Sequence, residues 1–347
     1  MGLYLKKFEN HTDYEAFTAT SEFIKPNVSY CEQENEVHYN PYVHDYSQDY
    51  LTFEALEDGI FQFTNAINYS VDNGTTWVAL AEDTATPTIT SGNKIMWKAE
   101  LTPSFSYPLG IGTFSSTGNF DVEGNPMSLL YSNNFIGQTG LTEKNGAFYK
   151  LFSNCSKLIN AKNLSLPATA LAISCYTNMF YNCTNLTTAP QLPATTLASG
   201  CYGDMFYNCT NLTTAPQLPA TTLASGCYGD MFNGCTSLTT APSILPATTL
   251  ADYCYLSMFQ NCTSLTTAPQ LPATTLAQYC YQNMFNGCTS LNYIKAMFTT
   301  TPSTTYTAEW VNGVAASGTF VKNSAATWTT TGVNGVPSGW TVETASA

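Results

Sequence analysis

The stretch Leu186-Thr-Thr-Ala-Pro-Gln-Leu-Pro-Ala-Thr-Thr-Leu-Ala-Ser-Gly-Cys-Tyr-Gly-Asp-Met-Phe-Tyr-Asn-Cys209 constrains this chain more than any other feature. It returns almost letter for letter at 212–235, and with drift at 238–262 and 265–288. Cys183, Cys209, Cys235, Cys262 and Cys288 set its period at 26, 26, 27 and 26 residues. A fixed period of this size is the mark of a stacked repeat array. A single unit cannot fold alone. Its four or five large apolar side chains supply about 10 kcal/mol when buried, while ordering about 26 residues costs at least that much in backbone entropy. Only stacking covers the flanks of each unit.

Five copies of Leu-Ala-x-x-Cys-Tyr-x-x-Met-Phe-x-x-Cys begin at Leu171, Leu197, Leu223, Leu250 and Leu276. Wound at about 100° per residue, the unchanging Leu197, Ala198, Cys201, Tyr202, Met205, Phe206 and Cys209 gather on one face. The changing Ser199, Gly200, Gly203, Asp204, Tyr207 and Asn208 gather on the other. That pattern predicts an amphipathic helical segment. The preceding Leu-Thr-Thr-Ala-Pro-Gln-Leu-Pro reads as a short extended piece, since prolines such as Pro216 and Pro219 forbid a helix interior and limit ladder donors. Each unit is thus expected to be a short strand, a proline corner and a helical segment.

Leu-x-x-Ala-x-x-Leu-Pro followed by Met-Phe-x-x-Cys-x-x-Leu resembles the BspA-type leucine-rich repeats of bacterial and phage surface proteins. Here Met205 stands where that family's Ala-Phe-x-x-Cys-x-x-Leu pattern has Ala. The resemblance covers about 150–295. It implies a leucine-rich-repeat solenoid used for adhesion or recognition, with no enzymatic activity.

The charge is sparse and lopsided. The net charge is −13 with only 10% of residues charged. Fifteen of the 24 acidic residues lie in 1–90, against Lys6, Lys7 and Lys25, and between Ile173 and Ile294 only Asp204, Asp230 and Asp252 are charged. There is no arginine. Nucleic-acid recognition leans on Arg forks and basic patches, so nucleic acid is excluded as a partner, as is docking on anionic lipid. No run approaches 18 apolar residues, so no membrane insertion is expected. The stretch 1–10 lacks the apolar run of a secretory signal, and Lys6 sits where a myristoylation motif needs Ser or Thr.

Ten of the 12 cysteines are the repeat pairs. Their place on the fixed face favours reduced, buried ladders over disulfides or metal. The seven-residue gap within a pair is no zinc spacing, and the repeats contain no His. Asn-x-Thr sequons at Asn182, Asn208 and Asn261 each sit at a tight turn beside a core Cys.

Along the chain, 1–50 reads as an N-terminal anchoring module: a strand at 4–8, a capped helix at 10–17, and a hairpin of 27–31 with 36–40. Its core is thin, and such modules dock on something or swap. Its wording, Tyr-Leu-Lys-Lys-Phe-Glu, Pro26-Asn-Val-Ser-Tyr-Cys and Glu36-Val-His-Tyr-Asn-Pro41, is similar to N-terminal segments of virion proteins of Bacteroides phages, crAss-like phages included. The resemblance implies attachment to other virion proteins. Residues 51–145 read as a small β-sandwich or roll, with strands at 61–63, 67–71, 77–80, 95–99, 118–122 and 127–131 and a turn at Asn73-Gly74. Residues 146–294 read as the leucine-rich-repeat solenoid, a half repeat (Phe148, Leu151, Phe152 and Cys155 matching Tyr202, Met205, Phe206 and Cys209) plus five units. Residues 295–347, with Trp310, Trp328 and Trp340, read as a C-terminal cap or tip. The expected class is mainly β with short helices.

Chemistry is thin. Ser70-Val-Asp72-Asn-Gly74-Thr-Thr76-Trp77 matches the Asp-box pattern of sialidase-like propellers, but it occurs once and no arginine cluster accompanies it; a hydrogen-bonded Asp turn is the plainer reading. His38 and His44 with Asp45 read as surface or interface groups rather than metal ligands, and His11 as exposed. Glu32, Glu34 and Glu36 read as a solvated edge, and Asp204 with Asp230 as a ladder on the outer face rather than a paired-carboxylate centre. No Ser, Cys or Lys has an activating base nearby. The expectation is no enzyme, no cofactor and no metal.

The remaining candidate is the varying face, with Tyr181, Tyr207, Asp252, Tyr253, Gln260, Gln278 and Tyr279, besides Ile173. Exposed Tyr, Asn and Gln on a rigid array suit sugar or protein surfaces; a tolerant solvent face is the bland reading. The strand side, with Thr213, Thr214 and Gln217 in register, is the usual ligand face of the repeat family and competes equally. The expected function is that of a phage virion structural protein, a head or tail fibre or decoration subunit. It would attach by its N-terminus and present the solenoid to a host cell-surface protein or glycan. A bacterial cell-surface adhesin is the alternative, and a homotrimer is the fibre-analogy expectation.

Overall fold

A computed structural model describes the backbone of 28–31 and 36–39, and residues 44–104 and 110–345. The chain divides into two units, Met1–Asp49 and Tyr50–Ala347.

In the first unit, β1 (Val28–Cys31) and β2 (Glu36–Tyr39) pair antiparallel, Val28 opposite Tyr39 and Cys31 opposite Glu36. This is the hairpin expected from the sequence. The strand at 4–8, the helix at 10–17 and His11 lie outside the described residues. Asp45 caps a single 3-10 turn, its carboxylate accepting from the Ser47 amide at 3.0 Å.

The second unit is mainly β. It opens with β3 (Leu51–Ala55), β4 (Phe61–Phe63), β5 (Ile67–Ser70), β6 (Val78–Leu80), β7 (Lys94–Lys98), β8 (Phe114–Ser116) and β9 (Phe120–Gly124). β4 and β8 form a two-stranded sheet. The others form a six-stranded sheet whose far edge is β10 (Leu158–Leu164), in the order β10-β9-β3-β7-β5-β6. The β5–β6 hairpin turns at Asn73 and Gly74, both at positive φ (58° and 79°), as the Asn-Gly signal requires. Strand alternation points Phe53, Phe61, Trp97, Phe114 and Phe120 into one aromatic cluster; Phe53 lies 4.8–5.4 Å from the other four ring centroids.

One expected strand is a helical turn instead. Residues 127–131 include α1 (Ser128–Tyr131). Asn125 Oδ1 accepts from the Met127 amide at 2.9 Å, and the Leu129 amide bonds back to Pro126 at 3.0 Å. The Asn-Pro start fixes a turn before the apolar run begins, and the turn wins.

β10 belongs to the first repeat, yet it pairs in parallel with β9. The Phe114 and Phe152 rings also stack at 5.8 Å. The aromatic cluster and the repeat core are therefore continuous.

The repeats differ from expectation in an instructive way. Their Cys-Tyr-x-x-Met-Phe segments are not helices but unbroken successions of turns. In one coil, the amides of Gly200, Tyr202, Asp204, Phe206 and Asn208 donate to Ser225, Cys227, Gly229, Met231 and Asn233 of the next, at 2.7–3.0 Å. The intervening amides of Cys201, Gly203, Met205, Tyr207 and Cys209 each close a local turn on the carbonyl three residues back, at 3.0–3.2 Å. Every fourth residue, Gly200, Asp204 and Asn208, has φ of 52–60°. The same triplet recurs at Ser174, Asn178 and Asn182, and at Gly226, Asp230 and Gly234. Half the backbone donors thus serve coil-to-coil bonding of the parallel-sheet kind, which sets a spacing of about 4.8 Å.

The fixed face is buried as expected. Tyr176, Tyr202, Tyr228, Tyr255 and Tyr281 stack at 5.6–6.0 Å, and Phe152, Phe180, Phe206, Phe232, Phe259 and Phe285 at 5.3–5.8 Å. Phe148 begins the tyrosine column, stacked on Tyr176 at 5.6 Å. The 155–288 cysteines are free and buried. The Cys209 and Cys235 thiols donate to the Phe180 and Phe206 carbonyls at 3.1 Å. The proline-bearing pieces are extended but meet only at isolated parallel bridges such as Thr214–Thr240.

The turn pattern runs on past Ile294. The Asn283, Phe285 and Gly287 amides donate to Ala308, Trp310 and Asn312. β11 (Tyr293–Ala296), β12 (Thr319–Lys322) and β13 (Thr341–Thr344) then form a parallel sheet. Trp310, Trp328 and Trp340 fill the end of the core, their indole N–H groups donating to the Gly335, Phe298 and Ala315 carbonyls at 2.9, 3.2 and 2.7 Å.

Candidate functional site

The stacking puts equivalent residues of successive coils into columns. One outer column runs Tyr181, Tyr207, Asn233, Gln260 and Asn286. The Tyr181 and Tyr207 rings stack at 4.9 Å and 10°, so their shared faces are spent on each other. Next, Asn233 Nδ2 donates to Gln260 Oε1 at 3.3 Å.

Another column runs Ser174, Gly200, Gly226, Tyr253 and Tyr279, with Ile173, Ser199, Ser225, Asp252 and Gln278 beside it. The Tyr253 and Tyr279 rings stack at 5.1 Å and 30°, and Asp252 Oδ1 accepts from the Gln278 amide at 3.1 Å. The structure therefore brings the seven candidate residues together as two groups. Tyr181, Tyr207 and Gln260 share one column, and Asp252, Tyr253, Gln278 and Tyr279 cluster on two later coils.

Between the groups lies a feature that residue-type reasoning missed. On two adjacent coils two neighbouring column positions are glycine: Gly200 and the buried Gly203, then Gly226 and Gly229. The next coil holds Tyr253 and Leu256 there. A Cβ built on Gly226 meets nothing within 4 Å, whereas one on Gly200, Gly203 or Gly229 comes within 3.3–3.5 Å of the Ser174 hydroxyl, the Gly200 carbonyl or the Gly226 carbonyl. The sequence signal was present as paired glycines at positions filled elsewhere by large side chains.

Asp204 and Asp230 occupy one column position on the same two coils. Asp230 accepts from Asn233 Nδ2 at 2.9 Å. Among the described residues no side chain donates to the Asp204 carboxylate. Burial, then the charge of Asp230, pushes Asp204 up to about 6. Burial raises Asp230 too, opposed by its bonds from Asn233 and Ser257.

The strand side carries Thr187, Thr188, Thr213 and Thr214, all exposed. With Lys162 and Gln191 they line a shallow depression of about 150 Å³. Gln217 Oε1 accepts from the Ser243 amide at 3.2 Å, so coil-to-coil bonding occupies it.

The Ser70–Trp77 stretch is a tight Asp turn. Asp72 accepts from the Thr76 amide at 2.9 Å, the Thr76 hydroxyl at 2.6 Å and the Ser70 hydroxyl at 2.7 Å. Those bonds, led by Thr76, hold its carboxyl down to about 2. His44 pairs with Asp49 rather than Asp45; the His38 side chain lies outside the described residues, as do Glu32 and Glu34. Among the described residues, no group of three His, Cys, Asp or Glu side chains is placed to hold a metal, and no helix is long and apolar enough to cross a membrane.

Comparison with protein-family models, curated proteins and solved structures found no match.

Proposed function

We propose that this chain is a phage virion structural protein, a head or tail fibre or decoration subunit, that recognises a host-surface protein or glycan and carries out no reaction. In this reading 1–50 anchors it to other virion proteins and 51–145 is a sandwich-like spacer. The 146–294 array is a leucine-rich-repeat solenoid of the BspA type, and 295–347 caps it.

The observation that carries the proposal is the split within each coil. Core columns repeat one residue from coil to coil, while the outer columns change among Tyr, Asn, Gln, Asp, Ser and Gly on an unchanging backbone. A rigid frame that varies only its outward side chains suits recognition of an extended surface. Mass spectrometry of purified particles and of washed host-cell envelopes tests it. Recovery in particles is the expected result. Recovery in envelopes alone would replace the virion with a bacterial adhesin.

A further inference from the structure

We infer that the cavity lined by the end of β5 and the 87–90 segment is a binding site for a small neutral sugar. The inference goes beyond the recognition reading, which gives 51–145 only a spacing role, and it stands without that reading.

The cavity has a volume of about 320 Å³, at the lower end of the roughly 300–1,000 Å³ of small-molecule sites. Tyr69 and Val71 supply part of its lining, and the 87–90 segment with Asn93 supplies the rest. Both parts are held by bonds of their own. Ile89 and Gly59 exchange amide-to-carbonyl bonds at 2.7 and 3.0 Å, and the Thr86 hydroxyl accepts from the Phe61 amide at 3.0 Å. Beyond β5, the Gly74 amide donates to the Ser70 hydroxyl and the Thr76 amide to Asp72, each at 2.9 Å. The cavity is therefore preformed, and a ligand does not have to order it.

Tyr69 is the residue that points to a ligand. It is only 7% exposed, and its ring packs 6.1 Å from that of Trp97, its cross-strand partner. A phenol buried to that extent usually finds a partner for its hydroxyl. Among the described residues the Tyr69 hydroxyl has none. Unlike the sealed Tyr176 and Tyr228 hydroxyls, it is open to the cavity that the residue lines.

The rest of the lining suits the same ligand. Thr88, Thr90 and Asn93 are exposed, and among the described residues their side chains make no hydrogen bond. Hydroxyls donate and accept, and the carboxamide does both, which is the mixed set that sugar hydroxyls require. Val71, Pro87 and Ile89 offer apolar surface to the C–H groups of the ring. No lining residue carries a charged side chain. Asp72, next to Val71, is occupied by Thr76 and Ser70. An ion would lose its hydration here without a counter-charge, and a purely apolar ligand would leave the Tyr69 hydroxyl unpaired.

The test is ligand-observed NMR of the full chain with glucose, galactose, N-acetylglucosamine, lactose and chitobiose, and with acetate, phosphate and indole as charged and apolar probes. The strongest binder is then titrated calorimetrically against wild type, Tyr69→Phe, Asn93→Ala, Val71→Trp and, on the array, Tyr279→Ser. Tyr69→Phe keeps the ring on Trp97 and removes only the hydroxyl. Val71→Trp fills the rim from a position that is 58% exposed. The expected result is sugar binding that weakens about fivefold to tenfold in Tyr69→Phe and in Asn93→Ala, is lost in Val71→Trp and is unchanged in Tyr279→Ser, at equal melting temperatures. Should Val71→Trp misfold, the two milder variants decide. Sugar binding indifferent to Tyr69→Phe and Asn93→Ala would overturn the site, and so would a preference for acetate, phosphate or indole, or no binding of any probe. Binding lost in Tyr279→Ser alone would move the sugar to the array, which sinks this site and leaves the recognition reading standing.

Discussion

The Phe206 ring lies 5.5 Å from Phe232 with the planes 2° apart, and 5.3 Å from Phe180 on its other side, again at 2°. Both faces of a fully buried ring are thus covered by copies of itself. Phe206→Ser removes both stacks, leaves a cavity and buries a hydroxyl. We expect a loss of about 3–5 kcal/mol, read as a lowered denaturation midpoint in urea. A midpoint equal to wild type would contradict the packing.

Coil-to-coil bonding is interchangeable. Residues 184–209 and 210–235 differ only at Tyr207/Asn233 and Asn208/Gly234. The amides of Gly226 and Tyr228 donate to Asp252 and Cys254 in the register that Gly200 and Tyr202 use toward Ser225 and Cys227. Deleting 210–235 would present Gly200 and Tyr202 to Asp252 and Cys254 directly. A folded, shorter protein with a melting temperature a few degrees lower is the expected outcome; circular dichroism showing an unfolded chain would refute it.

The buried side of each repeat was legible in the sequence, and its backbone was not. Leu197, Ala198, Cys201, Tyr202, Met205, Phe206 and Cys209 come in adjacent pairs every four residues. A period of four and the helical 3.6 diverge too slowly over so short a window to be separated by apolar spacing. Gly200, Asp204 and Asn208 separate them, because residues tolerant of left-handed backbone at every fourth position spell repeated turns. The mutual stacking of Tyr181 on Tyr207 was also invisible. Exposure follows from residue type, but which ring face stays free depends on coil register.

The thiols of 155–288 sit in the core, and burial pushes Cys175 and Cys235 up to about 12. Thiolate is the reactive form. Alkylation of the native protein at pH 8 should therefore leave these cysteines unmodified until the chain unfolds. Rapid labelling of repeat cysteines, mapped by peptide mass spectrometry, would show that the core is open.

Tyr228 is fully buried in the tyrosine column, and among the described residues its hydroxyl has no hydrogen-bond partner. Most buried phenols owe stability to a partner; an orphaned one carries only its desolvation cost. Tyr228→Phe keeps the ring stacks on Tyr202 and Tyr255 at 5.7 and 5.8 Å. Its melting temperature should equal or exceed that of wild type, and a drop of several degrees would mean that the hydroxyl is satisfied.

Asp204 makes stability depend on pH in an unusual direction. Its folded-state value, raised to about 6 by burial and by Asp230, lies above its unfolded value near 4. The folded protein therefore binds this proton more tightly than the unfolded chain does. The stabilisation is complete below about pH 4 and is lost as pH rises through about 6. Asp121 and Asp230, both raised chiefly by burial, act in the same sense. Asp72, held down to about 2, acts oppositely, but only below pH 4. Between pH 4 and 7 the melting temperature of Asp204→Asn should fall less steeply than that of wild type, the gap between the two widening in the mutant's favour as pH rises. Parallel curves across that window would mean that Asp204 ionises without penalty, so that the carboxylate is better hydrated, or better paired, than its place between the coils implies.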